Sequence, residues 1–210
     1  YKFSGTYENQ QRAEKRLALI IPLALGIILL LLYLQFRSIS TSLMIFLGVA
    51  MSFSGAFLLL WFYGQDWFFN FDIGGINFRH LFQIKAINLS VAVWVGFVAL
   101  FGIATDDGVL MGTYLDQFFD QNEPKNIFEV RNSVVQAGTK RITPAIMTSA
   151  TTIIALLPVL TSTGRGSDIM VPMAIPAFGG MLVASITYFI VPVLYSWREE
   201  RRISKGESWE

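Results

Sequence analysis

The chain has 210 residues, of which 53% are hydrophobic and 15% charged, with no cysteine and a formal net charge of +1. Its mean hydropathy is +0.52. The balance of 16 Lys and Arg against 15 Asp and Glu gives no footing for nucleic acid or an acidic partner, and the lack of Cys excludes disulfides and thiolate sites.

Residues 1–16 are polar and are read as a periplasmic juxtamembrane segment, followed by a membrane domain over 17–196 and a cytoplasmic tail over 197–210. The first apolar block is too long for a signal-peptide core. With a start at Tyr1 and two ends on opposite sides of a membrane, the simplest reading is a piece of a larger protein.

Five blocks predict an all-α, polytopic membrane helix bundle. Span one is Leu17–Leu34, span two Leu43–Phe62 and span three Leu89–Leu115. Span four is Ile142–Leu160 and span five Met170–Tyr195. Each is long enough to cross about 30 Å of hydrocarbon at about 1.5 Å per residue. Backbone groups in lipid must be satisfied internally, and the blocks lack the alternation of a barrel strand, so helices are expected. Pro22, Pro158, Pro172, Pro176 and Pro192 fall in or near spans. They serve either ordinary packing or a transport hinge.

Orientation follows from the basic residues. With the N-terminus outside, nine lie inside: Arg37, Lys125, Arg131, Lys140, Arg141, Arg198, Arg201, Arg202 and Lys205. Seven lie outside: Lys2, Arg12, Lys15, Arg16, Arg79, Lys85 and Arg165. The bias favours N-out, C-in.

The connection 63–88 is aromatic, with Trp67, Phe68, Phe69 and Phe71 suited to the headgroup level. His80, the only histidine, makes a poor metal site without a second His or a Cys. In the connection 116–141, Ile127, Val130 and Val134 recur at helical spacing beside Phe128, predicting a short amphipathic cytoplasmic helix. Asn122 or a neighbour would cap it, Glu123 and Pro124 would open it and Gly138 would stop it.

Span three holds GIATDDGVLMGTYL, with Asp106 and Asp107 adjacent inside an apolar helix. An ionised carboxylate in hydrocarbon is costly, so such residues face protein or water and exchange protons. Burial and a neighbouring carboxylate both favour the protonated form, which allows proton loading and release near neutrality. The two side chains point roughly 100° apart and cannot share one face. Counting from Leu89, Asp106 lies about 26 Å along the helix, in the cytoplasmic half. The alternatives are a structural role, bonding Thr105, Thr113 or Thr148, or a misplaced span boundary. Span four supplies hydroxyls at Thr143, Thr148, Ser149, Thr151 and Thr152. Thr148 lies about 9 Å in from Ile142 and could hold a proton relay near the Asp pair, or bond its own backbone. Gly102, Gly108 and Gly112 allow neighbouring helices to approach.

These motifs carry a resemblance. YENQQRAEKRL before span one, FGIATDDGVLMGTYL in span three and RITPAIMTS entering span four occur in that order. LLPVLTSTGRGS, PMAIPAFGGM and VPVLY follow. Together they resemble the last five transmembrane helices of the resistance-nodulation-division (RND) exporters, particularly the heavy-metal efflux branch. The resemblance implies a proton antiporter of the bacterial inner membrane, working as a homotrimer and joined through a periplasmic adaptor to an outer-membrane channel. It implies no cofactor. The N-terminal membrane half and the periplasmic domains of the same polypeptide would be the chain's nearest partners, with membrane lipids around them. Asp106 falls where the metal branch carries an acidic relay residue, and Thr148 at the relay threonine of the drug branch. Asp107 departs from both patterns, and Ala145 stands where some metal exporters place a lysine. Acidic relay partners would come from the fourth helix of the whole protein. Export of organic molecules and a non-transporting scaffold are the alternatives. No nucleophile–base pair or metal set points to an enzyme.

Overall fold

The structure is a computed structural model that describes residues 5–122, 124 and 126–204. The order is α1 (Gly5–Phe36), α2 (Ile39–Tyr63), β1 (Asp72–Ile73), β2 (Ile76–Asn77), α3 (Phe78–Leu81), α4 (Val91–Asn122), α5 (Ile127–Leu160) and α6 (Ser167–Ser204). The five long helices, α1, α2, α4, α5 and α6, are each long and apolar enough to cross a membrane, as the five blocks predict. All five run past their apolar blocks. At about 1.5 Å per residue, the 38 residues of α6 extend roughly 57 Å.

α6 lies at the centre and packs against α2, α4 and α5, while α1 packs against α2 and α4. Phe97, Leu100 and Phe101 of α4 and Ile175 of α6 are among the fully buried side chains. Close approach of α2 and α6 depends on Gly55 and Gly179. A Cβ at Gly55 would lie 2.8 Å from the Gly179 carbonyl oxygen, and one at Gly179 would lie 2.9 Å from that of Gly55. Small residues at a crossing are how membrane helices gain van der Waals contact where lipid and side chain are equally apolar.

The connection between α2 and α4 is more ordered than an anchor requires. Asp72–Ile73 and Ile76–Asn77 pair as an antiparallel hairpin. Gly74 and Gly75 turn it, with φ of 61° and 84°. Two residues at positive φ match the right-handed twist of the flanking strands, and glycine adopts them without strain. Arg79 then donates to the carbonyl oxygens of Gln65 and Asp66 at 2.8 Å each, tying the hairpin to the end of α2. Phe62 stacks on Phe68, with centroids 5.1 Å apart. His80 joins no metal-ligating cluster among the described residues.

One expectation needs correction. No separate surface helix stands between α4 and α5, and Gly138 does not stop one: α5 runs unbroken from Ile127 to Leu160. The stripe of Val130 and Val134 packs against α4 and α6 and passes into span four without a change of register. A glycine inside a helix costs only about 1 kcal/mol and cannot end one whose buried face continues. The short helix of the fold is instead α3. Asn122 is the last residue of α4 rather than a cap, and Asn126, before α5, makes no side-chain capping bond. Glu123 and Lys125, like Lys2 and Lys205, lie outside the described residues.

Candidate functional site

α4 and α5 diverge enough beside α6 to leave a cavity of about 220 Å³. That is room for several water molecules. Its polar wall is Asp106 and Asp107 from α4 with Arg141, Thr148, Ser149 and Thr152 from α5. Ile103, Leu110, Met111, Pro144, Ala145 and Met181 complete it. The carboxylates and Thr148, picked out separately in the sequence, therefore share one space.

The adjacent carboxylates face different surroundings. Asp106 is exposed, while Asp107 is half-buried and bonded toward α6. There the Tyr188 hydroxyl donates to Asp107 Oδ2 at 2.5 Å. Ser149 of α5 hydrogen-bonds the same tyrosine oxygen from the other side. Tyr188 and Ser149 are 1% and 4% exposed. The chain Asp107–Tyr188–Ser149 thus links α4, α6 and α5 in one hydrogen-bonded line.

Thr148 lines the cavity, but its hydroxyl donates to the Ala145 carbonyl of its own helix at 2.9 Å. Thr105 likewise donates to Phe101 O, at 2.6 Å. The buried Thr113 hydroxyl has no partner among the described residues. None of the threonines considered as structural partners bonds the Asp pair; the bonded partner is Tyr188. Sequence reasoning missed Tyr188, Ser149 and Arg141 in these roles. A tyrosine in the middle of a span, away from the headgroup level its ring prefers, was the available signal. Arg141 was read only as a topology marker. It places a guanidinium on the cavity one turn of α5 before Ala145, the position that offers no cation.

A second carboxylate–tyrosine pair lies roughly 13 Å further along α4. The Tyr195 hydroxyl donates to Asp116 Oδ1. Arg198 donates to Thr41 of α2. Glu199, 1% exposed, lies between Arg198 at 3.5 Å and Arg202 at 3.6 Å. Buried Met111, Leu115 and Val191 separate the two pairs. Another cavity, about 350 Å³ between α2, α6 and the aromatic connection, is walled almost wholly by apolar side chains.

The chain also matches known proteins over nearly its whole length. The model of the AcrB/AcrD/AcrF family matches residues 1–79 and 80–198. The chain belongs to the AcrB/AcrD/AcrF family. Within that family it is similar to the cation efflux system protein CusA of Escherichia coli strain K12, at 34% identity over 97% of this chain and 18% of CusA. It is 28% identical to the cobalt-zinc-cadmium resistance protein CzcA of Cupriavidus metallidurans, over 92% of this chain and 16% of CzcA. A heavy-metal efflux pump crystal structure superposes with a TM-score of 0.69 at 28% identity, covering 93% of this chain and 16% of that one. The chain thus spans less than a fifth of the length of these family members. Its homology is to the heavy-metal branch, as the motifs imply.

Proposed function

We propose that this chain is the C-terminal membrane half of a proton-driven exporter of metal cations, with Asp106, Asp107 and Thr148 in its proton relay. The observation that carries this reading is the cavity where both carboxylates meet Arg141 inside an apolar bundle. With both carboxyls ionised, the two aspartates and Arg141 sum to −1; one proton brings the sum to zero. A neutral set is favoured where the surroundings solvate charge poorly, so the cavity takes up one proton readily and gives it back where water reaches it. Arg141 supplies the cation that the missing lysine at 145 would otherwise provide.

Metal as cargo is supported by the relatives' names, "cation efflux" and "cobalt-zinc-cadmium resistance". The exposed flank of α5 beside Asp106 is where the N-terminal membrane half of the same polypeptide would supply further relay groups. In this reading residues 1–16 are periplasmic, 17–196 cross the bacterial inner membrane and 197–210 are cytoplasmic. The whole protein is a homotrimer working with a periplasmic adaptor and an outer-membrane channel. This half has no enzymatic role and needs no cofactor.

The test is export by the full-length protein in proteoliposomes under an imposed pH gradient. The cargo panel is Zn²⁺, Co²⁺, Cd²⁺, Ni²⁺ and an organic dye. Asp106→Asn and Asp107→Asn are expected to lose at least about 100-fold of proton-driven export while assembling as wild type; two decades correspond to about 2.7 kcal/mol. Normal export by both variants would make the pair structural, and dye export without metal export would replace the metal reading.

A further inference from the structure

We propose that Tyr188 is a positioning residue for Asp107 and transmits the protonation state of that carboxyl to α5 through Ser149. This rests on the reading of Asp107 as a proton carrier. Asp107 stands outside the pattern that suggested the relay, and nothing in the comparisons assigns it a partner.

Three oxygens on three helices form the chain, and each hydroxyl has one hydrogen to give. An ionised Asp107 only accepts, so Tyr188 donates to it across the 2.5 Å contact. Ser149 is then left to donate to the tyrosine oxygen. When a proton arrives from the cavity onto Asp107 Oδ2, that oxygen becomes a donor. It turns its hydrogen to the Tyr188 oxygen, and Tyr188 turns its own to Ser149. The Ser149 hydrogen is displaced and must find another acceptor, such as the Ala145 carbonyl one turn back on α5. One proton has been added to one carboxylate, and no covalent bond of Tyr188 or Ser149 has broken. Tyr188 is buried and does not line the cavity, so no cavity water stands in for its side of the bond. The helix that senses the proton is α5, which carries Arg141 and Thr148 on the same cavity.

Other charged groups do not account for this link. Asp106 lies beside Asp107 on α4, Arg141 faces it from α5 and Tyr188 from α6. Among the described residues, none of α1 or α2 lines that cavity. Arg141 acts through charge and Asp106 through repulsion; among the described residues only Tyr188 reaches both Asp107 and α5 by hydrogen bonds.

The experiment uses the full-length protein with Tyr188→Phe, which removes the hydroxyl and keeps the ring. Two quantities are read in proteoliposomes: the pH profile of proton-driven Zn²⁺ and Co²⁺ export, and the infrared carbonyl band of the protonated carboxyl, assigned by its loss in Asp107→Asn. Losing a donor to a carboxylate should move the pH of half-maximal export up by roughly one unit. The band should move to higher frequency as the acid loses its partner. Ser149→Ala should leave the band nearly in place yet slow export several-fold, because the signal to α5 is cut. An unchanged profile and band in Tyr188→Phe overturn the proposal even if Asp107→Asn is inactive. Should Tyr188→Phe fail to fold, wild-type export by Ser149→Ala overturns it instead. Normal export by Asp107→Asn brings down the proton-carrier reading itself.

Discussion

The α4–α6 interface holds the same chemical pair twice, a carboxylate accepting from a buried tyrosine, once at Asp107–Tyr188 and again at Asp116–Tyr195. The surroundings differ. Asp107 opens on a cavity shared with Asp106 and Arg141, and its tyrosine reaches a third helix. Asp116 lies where Phe119 packs edge-on against Tyr195, with ring centroids 5.1 Å apart, and where Arg198 ties α6 to α2. On the proposed reading a carboxylate–tyrosine pair is not by itself a proton site; a shared cavity and a bond to a third helix distinguish one from the other. The Asp116 pair reads as a clamp that sets the register of α4 against α6.

That contrast can be broken by experiment. The largest expected effect among variants outside the Asp107 chain comes from Ala145→Lys. It adds a second cation to the wall that holds Arg141, so the ionised set becomes neutral before any proton binds. Proton-driven export should fall about tenfold or more at neutral pH, with the remaining activity confined to more acid conditions, as pH-dependent flux will show. An unchanged profile would mean that the cavity's charge sum does not govern coupling.

Next comes Tyr195→Phe, the counterpart of the substitution at Tyr188. It should lower thermal stability in detergent by about 1–2 kcal/mol, the usual cost of leaving a buried partner unsatisfied. Its pH profile for export should overlay that of wild type. A profile shifted like that of Tyr188→Phe would make both pairs proton sites and erase the distinction.

The smallest effect is expected at Arg131→Ala. Arg131 makes a two-point contact with Glu200, at 2.8 and 2.9 Å, but its side chain is exposed. Side-chain entropy and screening offset most of what an exposed ion pair contributes. Neither the melting temperature nor export should change measurably, which a salt series and a melt will check.

The five long helices were legible because 20-residue apolar blocks have few other uses, and the Asp pair because carboxylates inside such a block demand a reason. The continuity of α5 was not legible. Gly138 is a stop signal only where the buried stripe ends, and whether it ends depends on α4 and α6, which cover Val130 and Val134. The hairpin at Gly74–Gly75 carries a recognisable turn dipeptide, but its flanking strands are only two residues each and show no usable alternation. In the site, Tyr188 was hidden because an amphipathic ring suits a span with or without a partner. Arg141 was hidden because one charge served two arguments, and topology claimed it first.

The hydroxyl stripe of α5 has a mechanical consequence. Thr148, Thr151 and Thr152 all donate to carbonyl oxygens of α5 itself. Though polar in composition, these positions offer a passing neighbour no hydrogen that is not already engaged. A helix sliding along that flank meets little friction: it has methyl groups to ride over and no threonine bonds to rupture. Toward α6, by contrast, α5 is held by the Ser149–Tyr188 bond, by the Arg131–Glu200 pair and by the packed stripe of Val130 and Val134.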